Sequence, residues 1–128
     1  WNMDKMTFER TLARLAQLLS SDEKIRSGAA GVEFSAMFEV TDLGVKLYLG
    51  FTGKEVVASV GEPPAPPTVE LGMESGTFDA MFTGEIDAMS AAMSGDMSFS
   101  GDAGPAMALQ DLMEEFIRCY KQAKSEQV

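Results

Sequence analysis

The side chains of this sequence that could carry out chemistry are mostly carboxylates, because the chain has no histidine and a single cysteine, Cys119. Without histidine the commonest general base is missing, and zinc sites built from imidazoles or thiolates are excluded. The motifs GxSxG, GxxxxGK[ST] and GxGxxG are absent. Paired carboxylates such as Glu114 and Glu115 have no spacing that singles out an acid–base couple. We therefore predict a protein that is not an enzyme and has no cofactor.

One metal motif is nearly complete between residues 96 and 102. These residues match the opening of a calcium loop through Asp96, Ser98, Ser100, Gly101 and Asp102. The twelfth position, which should be a bidentate glutamate, is Met107. The polar residues also alternate with Met97 and Phe99, as in a half-buried strand. This alternation favours a strand, and no metal site is predicted.

Methionine is unusually frequent in the segment MFTGEIDAMSAAMSGDMSFSGD, which covers residues 81–102. Eight of the ten methionines lie between Met37 and Met113, whereas isoleucine occurs three times in the whole chain. Methionine adapts to irregular apolar shapes but specifies a rigid core poorly. The residues alone thus leave two interpretations, a soft core and an adaptable pocket, and they favour the core.

Charge and length limit the classes of partner. The net charge is −10, and residues 55–117 contain twelve acids and no lysine or arginine. Such a surface repels phosphate polymers, so nucleic acid is not an expected partner. No apolar run approaches the roughly 20 residues that span a bilayer, and no stable membrane insertion is expected. The 128 residues fit one domain, 1–128, and the single cysteine favours a cytoplasmic location.

Apolar periodicity predicts the elements of the first half of the chain. Two helical patterns predict a helix at about 4–20 and a second one that starts in a capping box of Ser20 and Glu23 and stops at Gly28. Three alternating patterns then predict an antiparallel meander of strands at 32–40, 45–51 and 56–60.

In the second half, the proline-rich segment 61–67 predicts an extended loop, and a stiff internal connection is favoured over a ligand for an adaptor domain. A fourth strand is predicted at 69–73 and a fifth around Met97 and Phe99. Thr77 and Asp87 are predicted to cap two short helices that end at Gly84 and Gly95, and Pro105 is placed in the first turn of a last helix. The fold class is therefore α+β, with a five-stranded, mostly antiparallel sheet covered by helices.

The order of these patterns between residues 68 and 112 resembles the lipid-binding domain of the sterol carrier protein family. The resembling features are a helix that ends in Thr83-Gly84, the alanine-rich stretch 88–93, the G-x-φ-x-φ-x-G-D strand 95–102 and the alanine-rich helix start at 106–109. The meander and the first helix agree in order and length. Two features depart from the family: Asp96 follows the strand's first glycine where a lysine is frequent, and the C-terminus carries no peroxisomal S-K-L address.

This resemblance implies a sheet and helices that enclose an apolar pocket, and it implies non-catalytic binding and transfer of lipids such as fatty acyl chains or sterols. The methionine-rich segment would then line the pocket. The lipid-binding residues expected on this basis are Phe38, Leu47, Leu49, Met81, Phe82, Met89, Met93, Met97, Phe99, Met107, Leu109, Leu112, Met113 and Phe116.

Two further expectations concern partners and cargo. Domains of this family also occur fused to enzymes, so an alternative function is an accessory domain that presents an apolar substrate to an enzyme of lipid metabolism or mediates the assembly of that enzyme. Coenzyme A esters need bases near the pocket, and the candidates are Arg10, Arg14, Arg118 and Lys121. A fatty acid, sterol or other weakly charged lipid is therefore expected to bind better than a coenzyme A ester.

Overall fold

The computed structural model describes residues 4–127, without the side chains of Pro105 and Ala106. Within that range, helices and strands follow the order that the sequence periodicity predicts. They are α1 (Lys5–Ser21), α2 (Glu23–Gly28), β1 (Glu33–Val40), β2 (Val45–Thr52), β3 (Val56–Val60), β4 (Val69–Met73), α3 (Ser75–Phe82), α4 (Ala88–Ser94), β5 (Met97–Gly101) and α5 (Ala103–Ser125).

The five strands form one mixed sheet in the order β3-β2-β1-β4-β5. The predicted meander is confirmed, since β1 pairs with β2 and β2 pairs with β3 in antiparallel fashion. Strand β4 lies on the other side of β1 and is parallel to it, while β5 is antiparallel to β4. The proline-rich segment 61–67 connects β3, at one edge of the sheet, to β4 beyond β1. The predicted fold class, α+β with a mostly antiparallel sheet, is confirmed.

Side chains alternate along each strand, so one face of the sheet carries the core and the other carries charged residues together with the buried Met37 and Tyr48. The register aligns Phe38 of β1 with Leu47 and Leu71, and Leu71 with Phe99. Phe38, Leu47 and Leu71 are buried beneath the helices. Glu39 and Glu70, which alternate with them, are exposed on the opposite face.

The helices divide the covered face into two parts. Helix α1 packs against β2 and β3 and also against α5. Helix α3 packs against α5, and α4 packs against β5. The half of the sheet nearest β5 therefore faces α3, α4 and α5, whereas the other half lies under α1. No helix among residues 4–127 is both long enough and apolar enough to cross a membrane.

Two predicted helix caps are wrong. Helix α2 is capped by Asp22, whose carboxylate accepts from the Ile25 N–H at 3.1 Å, and not by a capping box at Ser20. The Ser20 hydroxyl instead donates to the Ala16 carbonyl and accepts from the N–H of Ala58 on β3. Helix α3 starts two residues before the predicted cap Thr77, with Glu74 at its N-cap position and no side-chain cap bond. The Asp22 carboxylate also accepts from Arg118 on α5, a contact that local sequence patterns do not reveal.

The other predicted helix ends are confirmed. Asp87 caps α4 by accepting from the Ser90 N–H at 2.7 Å, and Gly95 ends this helix in the left-handed region at φ 85°. Such a backbone conformation favours glycine. The strand interpretation of residues 96–102 is also confirmed, because Met97–Gly101 form β5 and Asp102 caps α5.

Candidate functional site

A cavity of about 690 Å³ lies between the β5 half of the sheet and helices α3, α4 and α5. Its inner end, here called the floor, consists of buried apolar side chains from strands β1, β4 and β5 and from helices α3 and α5. The floor residues are Phe38, Leu71, Met81, Met97, Leu109 and Phe116. The register explains the strand contribution, because Phe38, Leu71 and Phe99 stand in one row across the sheet.

The cavity opens at a rim of exposed lining residues on the α3–α4 loop, α4, β5 and the start of α5. The exposed apolar side chains of this rim are Met89 (68% exposed), Met107 (67%) and Phe99 (39%). Its polar side chains are Glu85, Asp87, Ser90 and Gln110. Large apolar side chains around an opening are typical of sites that receive an apolar molecule or surface.

The structure brings most of the predicted lipid-binding residues together around this cavity. Those that line it are Phe38, Met81, Met89, Met97, Phe99, Met107, Leu109, Met113 and Phe116. The methionines among them come from four different elements, α3, α4, β5 and α5. Their participation in lipid binding stays a prediction.

The remaining five predicted residues lie outside the cavity lining. Leu47 and Leu49 are buried on β2, in the half of the sheet that α1 covers. Leu112 is buried on the side of α5 that faces α2, since a Cβ added at Gly28 would come within 2.8 Å of its Cδ2 atom. Met93 is 82% exposed and is not part of the cavity lining.

Phe82, the fifth of them, belongs to an aromatic cluster next to the floor. Its ring stacks on that of Phe78, with centroids 4.1 Å apart, and it meets the rings of Phe38 and Tyr120 edge-on. Phe116 lies parallel to Phe82 at 6.5 Å. Phe38 and Phe116, which line the cavity, therefore also pack against this cluster. Aromatic pairs of this kind contribute about 0.5–1.5 kcal/mol beyond their burial.

Several lining residues were not predicted, among them Leu71, Ile86, Ala88, Ala92 and Ile117. Spacing could have found some of them. Ile117 is one helical turn beyond Met113, and Leu71 shares one face of β4 with Val69 and Met73. The alanines have little apolar surface, and only the packing of α4 beside the cavity identifies them as lining residues.

Basic residues are not part of the described lining. The four candidates considered from the sequence, Arg10, Arg14, Arg118 and Lys121, do not line the cavity. The Arg14 Nε atom is 2.6 Å from a Glu126 carboxylate oxygen. Arg118 is held between Asp22 and Glu115, at 2.7 and 2.8 Å. Two of the four guanidinium and ammonium groups are thus engaged in ion pairs elsewhere.

Two titratable groups of the interior, Cys119 and Tyr120, have raised pKa values. Burial, assisted by the charge of Asp22, raises the pKa of the Cys119 thiol and keeps it protonated. Burial is also the main cause that raises the pKa of Tyr120, whose hydroxyl donates to Asp79 at 2.8 Å. Among residues 4–127, no group of three or more His, Cys, Asp or Glu side chains could hold a metal ion.

Comparison with known proteins identifies a matching family and structures of the same fold. The model of the SCP-2 sterol transfer family matches residues 13–114. Hydroxysteroid dehydrogenase-like protein 2 of Xenopus tropicalis is 41% identical over 61 residues, which are 48% of this chain and 14% of that protein. The chain therefore spans about a seventh of the length of this curated relative.

Solved structures share the fold. The solution structure of sterol carrier protein domain 2 of Helicoverpa armigera matches with a TM-score of 0.66 at 19% identity, over 91% of this chain and 93% of that one. The sec-alkylsulfatase Pisa1 of a Pseudomonas species matches with a TM-score of 0.59 at 20% identity, over 81% of this chain but 15% of the sulfatase. Since the family model covers most of the sequence, the resemblance noted above is confirmed, and the chain belongs to the SCP-2 sterol transfer family.

Proposed function

We propose that this chain binds an apolar molecule, such as a fatty acyl chain or a sterol, in the cavity and transfers it without changing it chemically. The observation that carries the proposal is the cavity of about 690 Å³ with its buried floor of six apolar side chains. This volume falls within the range of about 300–1,000 Å³ that is typical of small-molecule sites. Apolar burial gains about 0.8 kcal/mol per methylene group before ordering and association costs.

The lining methionines suit cargo of variable shape. Five of them line the cavity: Met81, Met89, Met97, Met107 and Met113. An unbranched thioether with three rotatable bonds changes rotamer at little cost, so these side chains can repack around different apolar outlines. Met81 and Met97 contribute to the floor, while Met89 and Met107 are exposed at the rim. A carrier needs this adaptability at both depths, since the cargo enters through the rim and rests on the floor.

The chemistry of the described lining supports carriage in preference to catalysis. Its polar side chains are two carboxylates, a serine hydroxyl and a primary amide, and none of its described members is a histidine, cysteine or lysine. The Ser90 hydroxyl has no imidazole or amine in this lining that could activate it as a nucleophile. The buried part of the lining therefore offers apolar surface for binding and no activated nucleophile.

Two exposed methionines on α4 provide a matched test of this proposal. Met89 lines the cavity and Met93 does not, although both are exposed and lie one helical turn apart. We expect Met89→Asp to weaken binding of the uncharged fluorophore N-phenylnaphthylamine by about five-fold or more, because a carboxylate replaces apolar contact surface. Met93→Asp adds the same charge outside the lining and should leave the affinity within about two-fold of the original.

Fluorescence titration measures both affinities, and circular dichroism establishes that both variants are folded. Transfer is measured separately, as the rate at which the chain moves the fluorophore from donor to acceptor vesicles. Equal affinities for the two folded variants, or no saturable binding by the unmodified chain, would contradict the proposal.

A second candidate function is an accessory domain that presents an apolar substrate to an enzyme. The observation that favours it is that the chain matches about a seventh of hydroxysteroid dehydrogenase-like protein 2 and 15% of the sulfatase Pisa1. Sequencing the gene on both sides of residues 1–128 tests this function. An enzyme domain in the same reading frame would support it, whereas stop and start codons at the two ends would favour an independent carrier.

A further inference from the structure

The charged side chains of the cavity lining are confined to its rim and have one sign. Glu85 on the α3–α4 loop and Asp87 at the start of α4 are both exposed lining residues. The Asp87 carboxylate accepts from the backbone N–H of Ser90, a hydrogen bond that lowers its pKa and keeps it ionised at neutral pH. Among the lining residues that the structure describes, none is lysine or arginine.

Bases elsewhere on α5 do not offset these two charges within the lining. Lys121 lies one helical turn beyond the lining residue Ile117 but is outside the lining itself. Lys124, further along α5, forms an ion pair with Asp79 at 2.7 Å. Residues 55–117, which supply nearly all of the lining, contain no base at all.

The geometry of the cavity fixes where the polar end of a cargo molecule must stay. The floor is buried and apolar, so a polar or charged group placed there would lose its hydration without a partner. The alkyl or ring part of the cargo therefore occupies the floor, and its polar end stays at the rim beside Glu85 and Asp87. A carboxylate or phosphate at that place meets like charge, whereas a hydroxyl finds hydrogen-bond acceptors and an ammonium finds opposite charge.

From this arrangement, and on the basis of the proposed function, we infer that the rim selects cargo by charge: Glu85 and Asp87 favour apolar molecules whose polar end is uncharged or cationic over those that end in a carboxylate or phosphate. The cargo class is thus narrower than lipids in general. Free fatty acids are disfavoured together with coenzyme A esters, and long-chain alcohols, sterol-like alcohols and long-chain amines are preferred.

Competition among three ligands with one alkyl chain tests the inference. Dodecylamine, dodecanol and dodecanoate are each titrated, below their aggregation limits and near neutral pH, against N-phenylnaphthylamine bound to the full chain. We expect the amine to displace the fluorophore at the lowest concentration and the carboxylate at the highest. At low ionic strength the displacing concentration of the carboxylate should be at least about five-fold that of the amine. The ratio should shrink as salt is added, because exposed charges are screened within about 8–10 Å at physiological salt.

Two double variants separate the rim from the overall charge. Glu85→Gln with Asp87→Asn removes both rim charges, and asparagine still caps α4. Glu39→Gln with Glu70→Gln removes two charges from the exposed opposite face of the sheet and is the matched control. In the rim variant, the displacing concentrations of the amine and the carboxylate should be within about two-fold of each other. In the control variant, most of the original ratio of these concentrations should remain.

Each outcome of this experiment decides one point. If the fluorophore binds but the amine and the carboxylate displace it equally at low salt, the inference is wrong and the proposed function stands. The same holds if the control variant lowers the ratio as much as the rim variant does, because the effect would then come from net charge. If the fluorophore itself does not bind, the proposed function fails and the inference fails with it.

Discussion

At the scale of single residues, the best-defined polar contact of the interior joins helices α3 and α5. Asp79 accepts from the Tyr120 hydroxyl at 2.8 Å and from the Lys124 ammonium at 2.7 Å. The Tyr120 ring is fully buried and packs edge-on against Phe78 and Phe82. This contact therefore holds the aromatic cluster behind the cavity floor in place.

Tyr120 leads to a prediction about alkaline stability. Burial first, and then Asp79, raise the pKa of Tyr120 above the value of about 10 that it has in the unfolded chain. Its contribution to the free energy of unfolding is therefore complete below about pH 10 and is lost as the pH rises toward the folded-state pKa. Between about pH 10 and the folded-state pKa, we expect the free energy of unfolding of the original chain to fall with pH more steeply than that of Tyr120→Phe. The two slopes should differ by up to about 1.4 kcal/mol per pH unit.

Urea unfolding at a series of pH values measures this difference. Tyr48→Phe is the matched control, since it removes a phenol hydroxyl from the opposite face of the sheet. If the free energies of unfolding of the original chain and of Tyr120→Phe change in parallel above pH 10, the prediction is wrong. The Tyr120 hydroxyl would then titrate as it does in the unfolded chain.

At the scale of elements, strand β5 contributes to both the floor and the rim of the cavity. This edge strand supplies Met97 and Phe99 to the lining and is held in the sheet by its pairing with β4. Gly101 of β5 lies opposite Val69 of β4. A Cβ at this position would overlap the Thr68 carbonyl oxygen and come within 2.9 Å of the Val69 Cα atom. The last residue of β5 therefore has to be glycine if the strand is to stay paired at this end.

We predict that Gly101→Ala destabilises the protein by about 2 kcal/mol or more, because it combines a left-handed backbone with a backbone clash. Gly95→Ala is the matched control. Gly95 also has a positive φ, 85° against 108° at Gly101, but no atom lies within 4 Å of an added Cβ. Gly95→Ala should lower the free energy of unfolding by about 1 kcal/mol. Urea unfolding compares the two variants, and equal costs would show that the backbone clash at Gly101 is relieved without loss of pairing.

At the scale of the whole molecule, acidic residues greatly outnumber basic ones. The chain has 20 acids and 10 bases, and residues 55–117 contain none of those bases. Most ion pairs among the described residues lie at the surface, for example Arg26–Glu23 and Lys5–Glu9. Exposed pairs contribute about 0–1 kcal/mol each, so repulsion among the excess carboxylates dominates the long-range electrostatics.

This imbalance predicts that moderate salt stabilises the protein. Raising NaCl from about 20 to 200 mM should increase the melting temperature by a few degrees, because screening weakens the repulsion more than it weakens the exposed ion pairs. The melting temperature of the Glu39→Gln, Glu70→Gln variant should respond less to added salt, because two of the excess carboxylates are removed together with their attraction to Lys46. Thermal unfolding followed by circular dichroism checks both expectations, and a melting temperature that falls with added salt would refute them.

The sequence by itself determined the number, type and order of the elements, because these depend on local periodicity. Alternation at Val32, Phe34 and Phe38 predicts β1, and the helical spacing of Phe8, Leu12 and Leu15 predicts α1. The ordered set of patterns between residues 68 and 112 was also sufficient to identify the family. Each of these signals is contained within a short segment, so no long-range contact is needed to recognise it.

Tertiary structure alone decided which apolar residues line the cavity. Leu47 and Phe38 are paired across β2 and β1 and equally apolar, yet α1 covers Leu47 while Phe38 reaches the lining. Met89 and Met93 share one helix and one residue type, but only the first lines the cavity. Periodicity shows which side of an element is apolar, whereas the partner of that side depends on how α1, α4 and α5 divide the sheet between them. That division involves contacts between residues far apart in the chain, such as Arg118 with Asp22 and Tyr120 with Asp79, which no local pattern encodes.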